Sequence, residues 1–553
     1  MRLRTTQNGI TINAVAGTSA VLLSLDMDES KTADFMGFYI RKENLSQPNR
    51  NYDVESTRYF ADVVDTPLEG ARYNTKEHPW QSFLWEDFSV EDGKEYKYIF
   101  TPVYGSPGAL TYGKKAAIKV QIPKRGDGEH EVHFNRGVAG SQAYAAKFGN
   151  ERPDEMEEGK RERALKWLSK GLKEALLGFI AKAKDDSWQL RCCFYEFIFP
   201  EVLAELKAAD ERGADVKIIY DSRHEADKND AAIRKAKLPR RLVKRRTSNP
   251  AYLQHNKFMV LLKNEKPVAV WLGSTNITEK AIYGHCNVGH IIRNKEVAAK
   301  YLSYWNCLFT DPANAEAREA CQQIQADLEN VATGMTTLFS PRAKTKTLTL
   351  YSKLVSESKQ LVCGMFPFSF NKSIKEAIAA DTNNLKYIIM DKKGKNTTLS
   401  SNDFDNVIVY GTAFKNGLYT WAKEKNSGEI FYNGVNFIHN KVILIDPLGE
   451  DPVVITGSAN FSNNSILRND ENTVVIRGNK HVADLYFTEF ARIFNHHSVR
   501  QDIQKLTPAN TRAGRNPTHL YTDPAEWVGS FYKPNKLKQK RRKMFSEMKA
   551  AQA

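Results

Sequence analysis

The chain has 553 residues, 41% hydrophobic and 26% charged, with a formal net charge of +15. That length exceeds one ordinary core and sets an expectation of about two to four domains. The balance is that of a globular protein whose excess cations suit a polyanionic partner, either nucleic acid or an anionic lipid surface. No apolar run reaches the roughly 18 residues of a membrane-spanning helix, and Met1-Arg2-Leu3-Arg4 lacks the apolar core of a signal peptide, so a cytoplasmic location is expected.

Residues 1–125 read as a small all-β sandwich. Short alternating runs recur at Ala20–Leu25, Gly37–Arg41, Tyr96–Phe100 and Ala117–Ile122, separated by turn residues such as Asp92-Gly93. The stretch from Tyr98 to Gly105 resembles the late strands of a fibronectin type III domain. With no catalytic constellation of its own, this domain is expected to position or to bind. Pro123 to Glu131 is a polar linker. A new unit starts at Val132-His133-Phe134, with an amphipathic helix expected near Ala164 to Lys184.

Two α/β units follow, over 132–331 and 338–500. Each carries strand, helix, strand and then a motif strand. Val216–Asp221 and Leu385–Asp391 both read as buried strands ending in Asp. The alternation predicts largely parallel sheets. Residues 501–553 form a Lys- and Arg-rich tail, readable as a solubilising arm or a polyanion-binding one, with Trp527, Phe531 and Tyr532 able to stack on bases or to dock on the body. The six cysteines have no metal-ligand spacing and read as buried thiols.

The chemistry lies in a duplication. His255-Asn256-Lys257 recurs as His439-Asn440-Lys441, and each is followed by Gly-Ser-x-Asn, at Gly273, Ser274, Asn276 and at Gly457, Ser458, Asn460. The offsets agree, since 273 − 255 = 18 and 457 − 439 = 18. A lone His-x-Lys is expected by chance, but two copies with one spacing are read as internal duplication.

On a strand, residues i and i+2 share a face, so His255 and Lys257 point together and Asn256 points away. A Gly turn lets Ser274 and Asn276, or Ser458 and Asn460, converge on an anion, which makes them phosphate-binding candidates. Two such halves face to face place two imidazoles and two ammonium groups around one phosphate. One histidine can attack phosphorus to give a phosphohistidine, and the other can protonate the leaving oxygen. Lys257 and Lys441 stabilise the equatorial oxygens. The scheme requires neither metal nor cofactor.

These motifs resemble the phospholipase D superfamily signature, His-x-Lys-x4-Asp followed by Gly-Ser-x-Asn, over roughly residues 132–500. The resemblance implies two α/β halves on a pseudo-twofold axis with the site between them. The second half fits throughout, with His439, Lys441, Asp446, Gly457, Ser458 and Asn460. Glu471 is similar to the family carboxylate that orients a catalytic histidine, and Asp446 to its supporting acid. The first half departs: Leu262 replaces the Asp and Asn287 replaces the Glu, since 287 − 276 = 11 and 471 − 460 = 11. His255 is therefore expected to lack a carboxylate partner.

The basic run Arg234, Lys235, Lys237, Arg240, Arg241, Lys244, Arg245 and Arg246 leads into the first motif strand, and some of it is expected to rim the cleft. The leading expectation is a metal-independent nuclease acting on DNA or RNA. The alternatives are a phospholipase D or transphosphatidylase acting on phospholipid head groups, and a phosphodiester-binding protein with a degenerate first half. The partner of the β-sandwich and the oligomeric state are left open by the sequence.

Overall fold

The computed structural model describes residues 1–68, 71–125, 128–137, 142–249, 252–380, 384–392, 406–411, 438–504, 516 and 518–552. Gly126 and Asp127 of the linker, and residues 505–515 of the basic tail, lie outside this set.

The N-terminal strands follow the alternation of their residues. In Ala116–Gln121, Ala116, Ile118 and Val120 are buried while Lys119 and Gln121 face solvent. Strands Arg2–Gln7, Ile10–Ala16, Val21–Met27 and Leu84–Asp87 build one sheet, and Phe35–Asn44 and Glu95–Ser106 lead the other. Phe38, Tyr98, Phe100 and Val120 fill the space between.

The tail is not free. Strand Ala551–Gln552 adds to Arg2–Gln7 in parallel, and Trp527, Val528 and Phe531 enter the sandwich core. The aromatic residues therefore dock on the body instead of offering a stacking surface. Arg542 is buried and pairs with Asp26 at 2.5 Å.

The two later units share one sheet order. In the first it runs His130–Phe134, Val288–Ile292, Lys266–Gly273, Lys257–Lys263, Trp188–Phe194, Asp215–Asp221, Val243–Arg246. In the second it runs Gly334–Ser340, Glu471–Arg477, Val453–Gly457, Val442–Ile445, Leu361–Phe366, Leu385–Met390, Asn406–Tyr410. The duplication thus extends through the whole topology.

The sheets are mixed, which corrects the expectation of largely parallel ones. In the first, two pairings are parallel and four antiparallel; the second repeats this pattern. The cause is the hairpin that carries the motif. Asn264 and Glu265, both with positive φ, turn Lys257–Lys263 straight back into Lys266–Gly273. A second difference lies at the first helix, which breaks at Lys170 and Gly171, both left-handed, into Glu158–Ser169 and Leu172–Ile180.

Each motif strand is buried on both faces. Phe258, Val260 and Leu262 enter a core shared by both halves and the sandwich, alongside Leu444, Val454 and Leu22. Met259 and Leu261 enter the first half's own outer core. Fully burying such a side chain contributes about 1.5–3 kcal/mol, so the strand's register is fixed and His255 and Lys257 cannot exchange faces with Asn256.

Candidate active site between the halves

The motif strands meet across the pseudo-twofold axis. His255 N donates to Asp470 O at 3.0 Å, and His439 N to Cys286 O at 3.2 Å. The halves therefore exchange backbone hydrogen bonds immediately beside both histidines. The repeated asparagine makes the side-chain counterpart. Asn472 Nδ2 donates to Asn256 Oδ1 at 2.9 Å, and the Asn440 side-chain amide lies 3.1 Å from Ser274 Oγ. This joining role was missed from the sequence, although an identical residue at the variable position of both copies was the signal for it.

The orienting groups cross over. His255 Nδ1 pairs with Glu471 Oε2 of the second half at 2.9 Å. His439 Nδ1 pairs with Asn287 Oδ1 of the first half, also at 2.9 Å. The expectation that His255 lacks a carboxylate is thus corrected: His255 has the acid and His439 has the amide. Asn287 Nδ2 donates to Ala281 O at 2.8 Å, which leaves Oδ1 towards the imidazole. His439 Nδ1 must then carry a hydrogen, and Nε2 is the atom open to chemistry.

The serines lie behind this layer. Ser274 Oγ donates to Asn287 Oδ1 at 2.8 Å, and Ser458 Oγ to Glu471 Oε2 at 2.7 Å. Both are fully buried. The phosphate-binding role expected of Ser274 and Ser458 is corrected to one of fixing the amide and the carboxylate. Gly273 and Gly457 make this possible, since a Cβ at either would lie 2.2 Å from a carbonyl of the neighbouring strand.

Lys257 and Lys441 are buried and donate to the carbonyls of His255 and His439, at 2.5 and 2.7 Å. Burial lowers Lys257 to about 8, against the pull of Glu471 and Glu196. Burial, then Lys257, holds Lys441 well below the usual ammonium range. Both imidazoles are also pushed down by burial. Glu471 opposes this at His255, whereas the cations Lys441 and Lys257 and the neighbouring His285 add to it at His439. An anion between the halves reverses these shifts, because it restores the charge that burial disfavours.

Among the described residues, Asn276 and Asn460 each leave Oδ1 buried without a hydrogen-bond partner. Asn276 Nδ2 donates to Glu196, a residue the sequence reading passed over. Tyr195 was missed too; its ring lies 4.9 Å from the His255 ring and 5.1 Å from Lys257 Nζ. Asp446 stands apart from the cleft. It accepts from the backbone nitrogens of Lys359, Gln360 and Leu361, so it secures a turn, and Leu262 shows that the other half holds its strand without it.

The basic run divides. Arg246 is buried between Asp470 and Asp311, at 2.9 and 2.8 Å. Burial still pushes Asp470 up to about 6. Arg241 pairs with Asp210 and Arg245 with Asp230, while Lys244 lies over the Phe309 ring. Arg234, Lys235, Lys237 and Arg240 remain exposed.

Comparison with known proteins agrees with this duplicated site. The family model described as Cardiolipin synthase, PLD-like domain matches residues 176–308 and 351–494, one segment in each half. The chain belongs to the phospholipase D superfamily. No curated protein matches it. Similar solved structures include polyphosphate kinase from Porphyromonas gingivalis, at 11% identity and TM-score 0.38 over 56% of this chain; the match spans 46% of that kinase, less than half its length. Phosphatidylserine synthase from Haemophilus influenzae matches at 14% identity and TM-score 0.42, over 69% of this chain and 94% of the other. Yeast tyrosyl-DNA phosphodiesterase matches at 13% identity and TM-score 0.31, over 56% and 88%. Among the described residues, no helix is long and apolar enough to cross a membrane, and no group of three or more His, Cys, Asp or Glu could hold a metal ion.

Proposed function

We propose that this protein is a phosphodiesterase that works through a covalent phosphohistidine, with nucleic acid as its substrate class. The observation that carries the chemistry is the unequal pair of orienting groups, Glu471 on His255 and Asn287 on His439. Glu471 accepts the Nδ1 hydrogen of His255, raises the nucleophilicity of Nε2 and balances the positive charge of a phosphorylated ring. Asn287 adds no charge, so protonated His439 remains a willing donor.

In this reading His255 Nε2 attacks phosphorus and the bond to the leaving oxygen breaks. His439 gives that oxygen a proton from Nε2. Water then attacks the phosphoramidate, His439 takes the water's proton, and His255 is released. Lys257, Lys441, Asn276 and Asn460 stabilise the equatorial oxygens.

Nucleic acid is favoured by the net charge of +15 and by Arg234, Lys235, Lys237 and Arg240, which are exposed on the segment leading to His255. The N-terminal sandwich, which we read as fibronectin type III-like, serves to position or bind. The test is side-by-side incubation, in chelator, with labelled single- and double-stranded DNA, RNA and phosphatidylcholine vesicles, followed by an assay for acid-labile phosphoprotein. Nucleic-acid cleavage with label on His255 is expected. Turnover of the phospholipid alone would overturn the substrate class, and no turnover of any of them would overturn the enzyme.

A further inference from the structure

The two halves differ at one wall of the cleft. Phe194 pairs with Tyr220, just before Asp221, and Phe366 pairs with Met390, just before Asp391. Glu196 and Phe368, two residues on, therefore occupy equivalent places. Phe368 is 52% exposed. Glu196 turns inward and accepts the Asn276 amide hydrogen. The backbone holds the two together, since Ile277 N donates to Glu196 O at 3.1 Å and Phe199 N to Ile277 O at 2.9 Å. Asn276 itself is nine-tenths buried, with Oδ1 unpartnered. Its counterpart Asn460 has no carboxylate partner among the described residues.

A phosphoryl oxygen and a carboxylate oxygen ask the same thing of an amide N–H. We propose that Glu196 holds, in the free protein, the place of a phosphoryl oxygen against Asn276, and so sets the charge the site accepts: monoanionic phosphodiesters in preference to dianionic monoesters. This rests on the reading of the cleft as a phosphodiester site. Repulsion from a fixed carboxylate scales with ligand charge, so a dianion suffers twice what a monoanion does. The charged groups facing Glu196 are Lys257, Glu225 and Lys228. Lys257 attracts either anion, and Glu225 adds to the repulsion. A hydrolysed diester leaves a monoester that is largely dianionic at neutral pH, so the same carboxylate hastens its departure.

Burial, and secondly Glu225, raises the Glu196 carboxyl above its usual range. Below that raised value Glu196 is protonated and the discrimination fades; above it the discrimination is complete. Glu196 also helps to keep Lys257 charged, so its removal lowers Lys257 further, and the comparison is therefore made at pH 7, below the Lys257 value of about 8.

The test is calorimetric titration of the full chain, of Glu196→Gln and of Glu196→Ala, with sulfate and with dimethyl phosphate. Both probes hold a fixed charge between pH 5 and 8. At pH 7 each variant is expected to bind sulfate about tenfold more tightly and dimethyl phosphate about threefold more tightly, the same interaction at half the charge. At pH 5 the gap to wild type narrows. Thermal melts confirm that the variants are folded, and two substitutions guard against the failure of one. Binding with an unchanged ratio of the two affinities would overturn this proposal alone. No binding of either anion to any of the three proteins would overturn it together with the phosphodiester reading.

Discussion

The two halves share a sheet order strand for strand, yet each supports the other's histidine. Glu471 lies in the second half and serves His255 of the first; Asn287 lies in the first and serves His439 of the second. A similar exchange of inequality appears one layer out. Asp470 is buried against Arg246, which also pairs with Asp311, while its counterpart Cys286 donates to Gly137 O at 3.3 Å. Duplication supplied two equal frames, and substitution at a few crossing positions made two different histidines from them. Chemical role in such a fold belongs to the pair across the axis and not to the half that carries the motif.

The strongest way to break this comparison is at the histidines. His255→Ala and His439→Ala are each expected to lower kcat by about ten thousandfold or more, because nucleophile and acid act as a unit. Acid-labile label should persist on His255 in His439→Ala; label on His439 in His255→Ala would reverse the assignment. Next in size is Glu471→Gln, expected to lower kcat by about a thousandfold, with Asn287→Ala costing far less. Equal losses would mean that the carboxylate has no special part.

Arg246→Met leaves Asp470 buried without its cation and is expected to cost about 3–5 kcal/mol in a chemical denaturation curve. The same change at Arg241, whose pair with Asp210 is exposed, should leave the denaturation midpoint almost unmoved. The pH dependence sharpens the comparison further. His439 must be protonated to act, and burial beside four cationic or imidazole neighbours lowers it well below 6.5. kcat/KM, which reports the free protein, should therefore fall as pH rises through a value under 6.5, and kcat should hold to higher pH because the bound phosphate restores the proton. Asn287→Asp should move the falling limb of kcat/KM upward. The smallest effect on turnover is that of Asp446→Ala, expected to leave kcat unchanged while lowering stability by about 1–3 kcal/mol.

Much of this was legible in the sequence because repetition and period-2 alternation are local. The motif spacing, the family, the two halves and the N-terminal sheets all follow from such signals. The antiparallel pairings were missed because Asn264-Glu265 is not a usual hairpin turn pair, although both residues adopt left-handed φ. The crossed carboxylate was missed for a different reason. Spacing along one half places Glu471 beside Ser458, but only the meeting of the halves decides which imidazole it touches. Glu196 was invisible because its partner, Asn276, is 80 residues away. The division of the basic run was not legible either, since Arg241, Arg245 and Arg246 pair with Asp210, Asp230, Asp311 and Asp470, and of the three Arg246 alone is buried.

The docking of Trp527, Phe531 and strand Ala551–Gln552 on the N-terminal sandwich also orders events during synthesis. The sandwich leaves the ribosome before the two halves, yet its core cannot close until the segment carrying Trp527 has emerged. Until then Phe35 and Phe83, which later pack against Trp527 at 5.5 and 6.1 Å, lack their covering ring. The sandwich, made before the two halves, is thus completed only after both have been made.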